Sequence, residues 1–337
     1  MWVRSFLFIF LFLFTSFSYA DQLIIEPDMG RKPIVDLLNQ AQHSISLVMY
    51  GFTDETLLNA LLKQHERGKS LKIILEQSPY KTQNENKKTI FLLKKNHIDW
   101  QNSIPPFRLV HQKTLIIDDK NALVMTFNFT HSSFKNQRNF ALNIDEKKQV
   151  NAIKNIFSAD WNHVPIHETS ADLVVSPDNS RQKILALIKT ATHSINVYAQ
   201  SINDDKIIGA LAKAARNGAH IKILTSAKIP QKQADFMRHA GIEIKQSKQL
   251  YIHAKVIIIN NTSAMIGSIN FTRASLENNR ELSVITHNVN IVKQLNATFN
   301  HDWRNTSSFE MQQYTLIGAK ILRKFITQTL YQTRRFE

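Results

Sequence analysis

Cysteine is absent from all 337 residues. No disulfide can brace the fold and no thiolate can hold a metal, so stability has to come from buried cores. Long apolar runs are missing as well. Beyond the first twenty residues no segment is long and apolar enough to cross a membrane. Acidic side chains are short in supply, 27 against 42 basic ones, which leaves a formal net charge of +15. Such an excess favours polyanionic partners, nucleic acid or an anionic membrane surface, without choosing between them. The plainer alternative is a basic surface that only keeps the protein soluble.

The first twenty residues carry Arg4, an apolar core from Phe6 to Phe14, and Ser18-Tyr19-Ala20 ahead of Asp21. Nine apolar residues fall short of the roughly 20 needed for a span, so residues 1–20 read as a secretory signal cleaved after Ala20, with an uncleaved anchor as the alternative. A secreted or periplasmic protein is the expectation. Without Arg4, the chain from Asp21 holds 41 basic and 27 acidic residues, a net charge of +14, and is long enough for two ordinary domains.

From Ile34 the chain repeats itself. Ala41 to Val48 corresponds to Ala191 to Tyr198, and Leu58 to Gly68 to Ile208 to Gly218, at a spacing of 150 residues. Further on the spacing is 142, linking His111 to His253, Asn128 to Asn270, Arg138 to Arg280 and Asp160-Trp161 to Asp302-Trp303. The surplus falls mostly in Ser78 to Lys88, a polar stretch that reads as a surface loop, either helping to recognise substrate or neutral.

Each half reads as helix (Pro33 to Gln42; Ser180 to Thr192), strand (Ser44 to Tyr50; Ser194 to Gln200), helix (Asp54 to Arg67; Asp204 to Asn217) and strand (Leu71 to Glu76; His220 to Thr225). A further helix and strand lead into a hairpin, and a short helix closes each half at Asp160-Trp161 or Asp302-Trp303. Strands alternating with helices predict an α/β fold. The expected domains are 21–165 and 166–305, followed by a basic tail, 306–337. In that tail Ile317, Ile321 and Phe325 lie at helical spacing beside Lys320, Arg323 and Lys324, suited to docking on its own domain or to lying on a membrane.

The hairpins carry the chemistry. Val110-His111-Gln112-Lys113 leads into Thr114 to Ile117 and a turn at Asp118 to Asn121; Ile252-His253-Ala254-Lys255 leads into Val256 to Ile259 and a turn at Asn260 to Ser263. If four turn residues close each hairpin symmetrically, His111 opposes Asn128, Lys113 opposes Thr126, His253 opposes Asn270 and Lys255 opposes Ser268. One imidazole, one ammonium, one amide and one hydroxyl would then share a face, a set suited to an anionic phosphate.

The pattern H-x-K-x4-D followed by G-S-x-N, present twice, resembles the phospholipase D superfamily. The first copy is His111, Lys113, Asp118, Met125, Thr126 and Asn128; the second is His253, Lys255, Asn260, Gly267, Ser268 and Asn270. Met125-Thr126 and Asn260 depart from the pattern. Met125 is expected to turn into the core while Thr126 keeps the hydroxyl role, and Asp118 to be structural.

The resemblance implies two homologous α/β sandwich domains related by a pseudo-twofold axis, with the active site at their interface, complete in a monomer. It also implies a phosphohistidine intermediate, with one histidine as nucleophile and the other as acid, assisted by Lys113, Lys255, Asn128 and Asn270, with Thr126 and Ser268 on the substrate. No metal or other cofactor is required. Family members place an acidic residue eleven positions after the motif asparagine, to orient the histidine of the opposite half. Those positions hold Glu281 and Asn139. Glu281 should serve His111, the better nucleophile, and leave His253 as the acid.

Three functions fit: an exported phospholipase D releasing phosphatidic acid and a free head group, or transferring to an alcohol; a metal-independent nuclease; and a polyanion-binding protein with a decayed site. Retention of both histidines, both lysines and both asparagines weighs against decay.

Overall fold

The computed structural model describes residues 21–80, 82, 84–102, 106–166 and 170–306. Residues 1–20, expected to be a signal, and residues 307–337, expected to form a basic tail, lie outside the described residues.

In the first half the elements are β1 (Gln22–Glu26), α1 (Lys32–Gln40), β2 (Ser44–Met49), α2 (Glu55–Glu66), β3 (Ser70–Leu75), α3 (Lys87–Lys95), β4 (Asp99–Gln101), β5 (Thr114–Ile117), β6 (Asn121–Met125), β7 (Gln137–Ile144) and α4 (Lys147–Trp161). The second half repeats them as β8 (Leu173–Ser176), α5 (Ser180–Lys189), β9 (Ser194–Ala199), α6 (Asp205–Arg216), β10 (His220–Thr225), α7 (Gln231–His239) and β11 (Glu243–Gln246). There follow β12 (Tyr251–Ile252), β13 (Lys255–Ile259), β14 (Ser263–Gly267), α8 (Arg273–Glu277), β15 (Glu281–Thr286) and α9 (Val289–Arg304).

The two sheets have one topology. Strand order is β1-β7-β6-β5-β2-β3-β4 in the first and β8-β15-β14-β13-β9-β10-β11 in the second. In each, three parallel strands adjoin an antiparallel meander, as in β2 with β3 and β5 with β6. Runs such as Leu47-Val48-Met49 and Ile257-Ile258-Ile259 are apolar at every position because layers cover both faces. Their outward residues fill a separate core in each half. Their inward residues meet in one shared core, in which Val124, Phe140 and Ile153 pack with Tyr198, Val256, Ile266 and Phe299.

Helix starts are set by side-chain caps. Asp54 accepts from the Leu57 N–H at 3.2 Å and Asp204 from the Ile207 N–H at 3.0 Å, and the apolar residues that follow face the outer cores. The helices closing each half are not short, as the sequence suggested, but span 15 and 16 residues. Both lie against the shared core, with Phe299 fully buried and stacked on Trp303, and Phe157 stacked on Trp161. Strands β1, β7, β8 and β15, not anticipated individually, complete the meanders.

The hairpin register differs from the expectation by one residue. Thr114 pairs with Val124 and Ile117 with Asn121, and the Met125 N–H donates to the Lys113 carbonyl, so Lys113 opposes Met125. In the second hairpin Val256 pairs with Ile266 and Ile259 with Ser263. The cause is the turn. Asp118 and Asp119 (φ +53° and +56°), and likewise Asn260 and Asn261 (φ +51° and +59°), adopt the left-handed conformation open to Asp and Asn, and the N–H of Lys120 or Thr262 closes on Ile117 or Ile259. Three residues, not four, separate the paired strands.

Candidate active site

Each motif is held by the opposite half. The His111 N–H donates to the Arg280 carbonyl at 2.9 Å, and the N–H groups of His253 and Ala254 donate to the Arg138 carbonyl at 3.2 and 3.0 Å. β12 extends this contact by pairing with β7, and Val110 makes the counterpart bridge to Arg280. The two arginines are themselves fixed across the interface. Arg138 forms a forked pair with Asp302 at 2.7 and 3.0 Å, and Arg280 meets Asp160 at 3.1 Å. These four residues repeat at a spacing of 142, and the repeat was the signal for them. They are structural pins of the site, marked in the sequence only as repeated positions.

The histidines are oriented unequally. Glu281 Oε2 lies 2.8 Å from His111 Nδ1, whereas His253 Nδ1 lies 2.9 Å from the Asn139 amide oxygen. Both partners are fully buried. Accepting at Nδ1, each fixes the tautomer and leaves Nε2 as the reactive nitrogen. Burial pushes the His111 pKa down to about 4 against the pull of Glu281, with Lys113 lowering it further. His253 is pushed down harder, by burial and then by Lys255 and Lys113, with no carboxylate in opposition. Burial acts to raise Glu281, yet the proximity of His111, its hydrogen bond and Lys113 hold that carboxyl below its ordinary range.

The lysines sit beneath the imidazoles, both essentially inaccessible. Lys113 Nζ donates to the His111 carbonyl at 2.6 Å, and burial lowers its pKa to about 7 against the pull of Glu281. Lys255 Nζ donates to the His253 carbonyl and, across the interface, to the Thr126 carbonyl at 3.0 Å. Burial and the nearby Lys113 lower it too. Two ammonium groups with one carboxylate make an anion-seeking pocket.

Asn128 and Asn270 are half-buried, and each amide oxygen lacks a hydrogen-bond partner among the described residues. Asn128 is presented by the end of β2 rather than by its hairpin partner. Phe129 bridges to Phe52, its N–H donates to the Gly51 carbonyl, and the Asn128 amide rests on Gly51, where a Cβ would come within 3.3 Å of it.

Thr126 and Ser268 do not fit the expected role on substrate. Both are fully buried. The Thr126 hydroxyl donates to the Asn139 amide oxygen at 3.0 Å and accepts from the Phe140 N–H; the Ser268 hydroxyl engages the carbonyl and N–H of Leu282. They pin neighbouring strands, and Thr126 also sets the amide that faces His253. Met125 is fully buried in the first-half core, opposite Ala141. Its counterpart Gly267 opposes Ser283, with backbone so close that a Cβ would lie 2.4 Å away.

Asp118 stands far from the chemistry. Its carboxylate accepts from the N–H groups of Gln42, His43 and Ser44 at 2.7–2.8 Å; burial acts to raise its pKa, but these three donors hold it low. Asn260 does the same for Thr192, His193 and Ser194 with its amide oxygen. His43 and His193 are exposed at these corners.

One residue beside the site was not foreseen. The Tyr50 ring stands edge-on to His111 at 4.7 Å, and Lys113 Nζ lies 5.2 Å from its centroid. The Tyr50 hydroxyl accepts the Tyr80 N–H at 2.5 Å, and Asn86 donates to the Tyr50 carbonyl while accepting from the Phe52 N–H. The polar loop therefore buttresses the His111 side. The second half has Gln200 at the place of Tyr50, and nothing in the sequence pattern marks the difference as functional.

Two α/β sandwiches that pool His, Lys and Asn from both halves into one buried cationic site define a phosphate-handling enzyme with a twofold-derived centre. The family described as cardiolipin synthase, PLD-like domain, matches residues 34–161 and 184–303. The chain belongs to this family and to the phospholipase D superfamily, whose chemistry is that of phosphodiesters. It is 23% identical over 351 residues to a cardiolipin synthase of Clostridium perfringens, covering 86% of this chain and 73% of that protein. A phospholipase D of Rickettsia prowazekii is 31% identical over 137 residues, 40% of this chain and 65% of that one. Among solved structures, a phosphatidylserine synthase of Haemophilus influenzae superposes with a TM-score of 0.65 at 11% identity, covering 91% of this chain and 93% of that one. A polyphosphate kinase of Porphyromonas gingivalis gives 0.69 at 18% identity, over 84% of this chain and 47% of that one. These two likenesses concern the fold.

Proposed function

We propose that this enzyme cleaves the head-group phosphodiester of a phospholipid by double displacement, with His111 as nucleophile and His253 as acid and then base. The observation that carries the proposal is the unequal pair of Nδ1 partners, a carboxylate on His111 and an amide on His253. The substrate class draws support from the relatives, which are named cardiolipin synthase and phospholipase D.

In the first step His111 Nε2 attacks phosphorus, the bond from phosphorus to the head-group oxygen breaks, and a proton passes from His253 Nε2 to that oxygen. The phosphorylated ring is cationic, and Glu281 stabilises it through Nδ1–H. Lys113, Lys255, Asn128 and Asn270 offset charge on the non-bridging oxygens. The weak basicity of His253 makes its protonated ring a strong donor; the anionic substrate brings the charge that favours this proton. In the second step His253 takes a proton from water, the water oxygen bonds to phosphorus, and the bond to Nε2 breaks. A lipid alcohol in the place of water gives transfer instead of hydrolysis at the same centre. Both half-sites come from one chain, so a monomer suffices. Export is inferred from residues 1–20, and the basic surface suits anionic lipid.

The test is a parallel assay with EDTA on mixed phospholipid vesicles and on single- and double-stranded DNA and RNA, with His111→Ala and His253→Ala as controls. Head-group release by wild type alone is the expected outcome. Cleavage confined to nucleic acid would replace the substrate class, and silence on both would return the binding-protein reading.

A further inference from the structure

The catalytic end of each sheet is the carboxyl end of its parallel strands, where α3 and α7 begin at the outer edges. On α3, Lys87, Ile90, Phe91 and Lys94 fall at positions i, i+3, i+4 and i+7, one stripe along the helix. With Gln77, Ser78 and Asn84 they line an open groove of about 400 Å³. Phe91 is 63% exposed, a large apolar ring left largely open among the described residues, and Lys87 and Lys94 stand one turn to either side of it. Lys95 is also exposed, Lys88 pairs with Glu55 on α2, and α3 itself holds no acidic residue. The pseudo-equivalent helix α7 repeats the spacing with Lys232 and Phe236, the latter 47% exposed.

An exposed phenylalanine bracketed by lysines is poorly suited to water and well suited to the boundary of a bilayer. There the ring enters the acyl region and the ammonium groups meet phosphates. α3 and α7 hold equivalent places in the β3-α3-β4 and β10-α7-β11 units, so one surface facing the carboxyl ends of the parallel strands would meet the start of each. The net charge of +15 is complementary to such a surface. We propose that α3 and α7 form the face on which this protein sits on an anionic phospholipid bilayer, α3 supplying the stronger contact. This rests on the phospholipid reading for its biological sense but not for its test.

The test uses the full chain and the variant Lys87→Ser/Phe91→Ser/Lys94→Ser, with Phe236→Ser beside it. Co-sedimentation is measured with vesicles of phosphatidylglycerol mixed into phosphatidylcholine and with phosphatidylcholine alone. Hydrolysis of the soluble diester bis(p-nitrophenyl) phosphate reports on fold and chemistry. The triple variant is expected to partition onto the anionic vesicles about tenfold less well, Phe236→Ser less markedly, with soluble-diester hydrolysis unchanged in both. Unchanged partitioning of the triple variant would overturn the proposal, as would loss of DNA binding in that variant without loss of vesicle binding. Vesicle binding through α3 with no phospholipid turnover would sink the proposed substrate and leave the docking face standing.

Discussion

Glu281 is the residue on which the asymmetry of the site turns. Removing its charge in Glu281→Gln keeps the shape but withdraws stabilisation from the cationic ring. We expect kcat to fall on the order of 10³-fold with KM little changed, read from steady-state kinetics. The pH profile of kcat/KM should show two limbs. Activity rises as His111 loses its proton near pH 4 and falls as the acid His253, itself lowered by burial, and Lys113, near pH 7, lose theirs. Lys113 also makes a stability prediction. Its folded pKa of about 7 lies below the ordinary 10.5, so the fold carries a disfavoured buried ammonium below pH 7, and that cost fades as pH rises from 7 towards 10.5. Lys113→Met should therefore raise the thermal midpoint by about a few degrees at pH 6, with a smaller gain at pH 10, while activity is lost. A midpoint that drops equally at both pH values would mean that the lysine is held by favourable contacts instead.

At the scale of elements, the corner where Asp118 caps three N–H groups joins the β5–β6 hairpin to the start of β2. Asp118→Ala is expected to cost about 1–2 kcal/mol in chemical unfolding, with kcat unchanged. Asp118→Asn should cost less, because Asn260 already performs this task in the second half. These elements were legible because their signals are local: apolar periodicity located α2, α6, β3 and β10 to within a residue or so. The histidine partners were legible only through the family resemblance, which implies an orienting residue eleven positions after each motif asparagine, here Glu281 and Asn139. Register was not, because one left-handed residue more or less in a turn leaves the composition of Asp118 to Asn121 unchanged. The burial of Thr126 and Ser268 escaped for a related reason. Their hydroxyls answer to strands β7 and β15, which the sequence did not separately announce. Tyr50 escaped because an aromatic at the end of a strand reads as core until the fold sets it beside His111.

At the scale of the molecule, the two halves are locked by reciprocal contacts. Arg138 with Asp302 and Arg280 with Asp160 are buried ion pairs that cross the interface, and each arginine also donates to a carbonyl of its own half, Glu26 or Ser176. Asp302→Ala leaves the buried Arg138 guanidinium with Asp28 as its remaining carboxylate and takes the acceptor from the buried Tyr198 hydroxyl, and should cost about 3–5 kcal/mol. Arg138→Met with Asp302→Leu should recover only part of it, because Tyr198 stays unpaired. Activity in the single variant is expected to fall as well, because the Arg138 carbonyl holds the His253 backbone. Full activity with reduced stability would show that the interface tolerates more slack than these distances imply. The repeat thus makes a symmetric frame, and the exchange of one carboxylate for an amide gives the two histidines different work. The most direct measurement is to mix wild-type enzyme with phospholipid, quench within a turnover under conditions that preserve phosphoramidates, and locate the adduct by mass spectrometry of the peptides. The phosphatidyl group is expected on His111, and to stay there in Asn139→Glu; finding it on His253 in the wild type would contradict the assignment of roles.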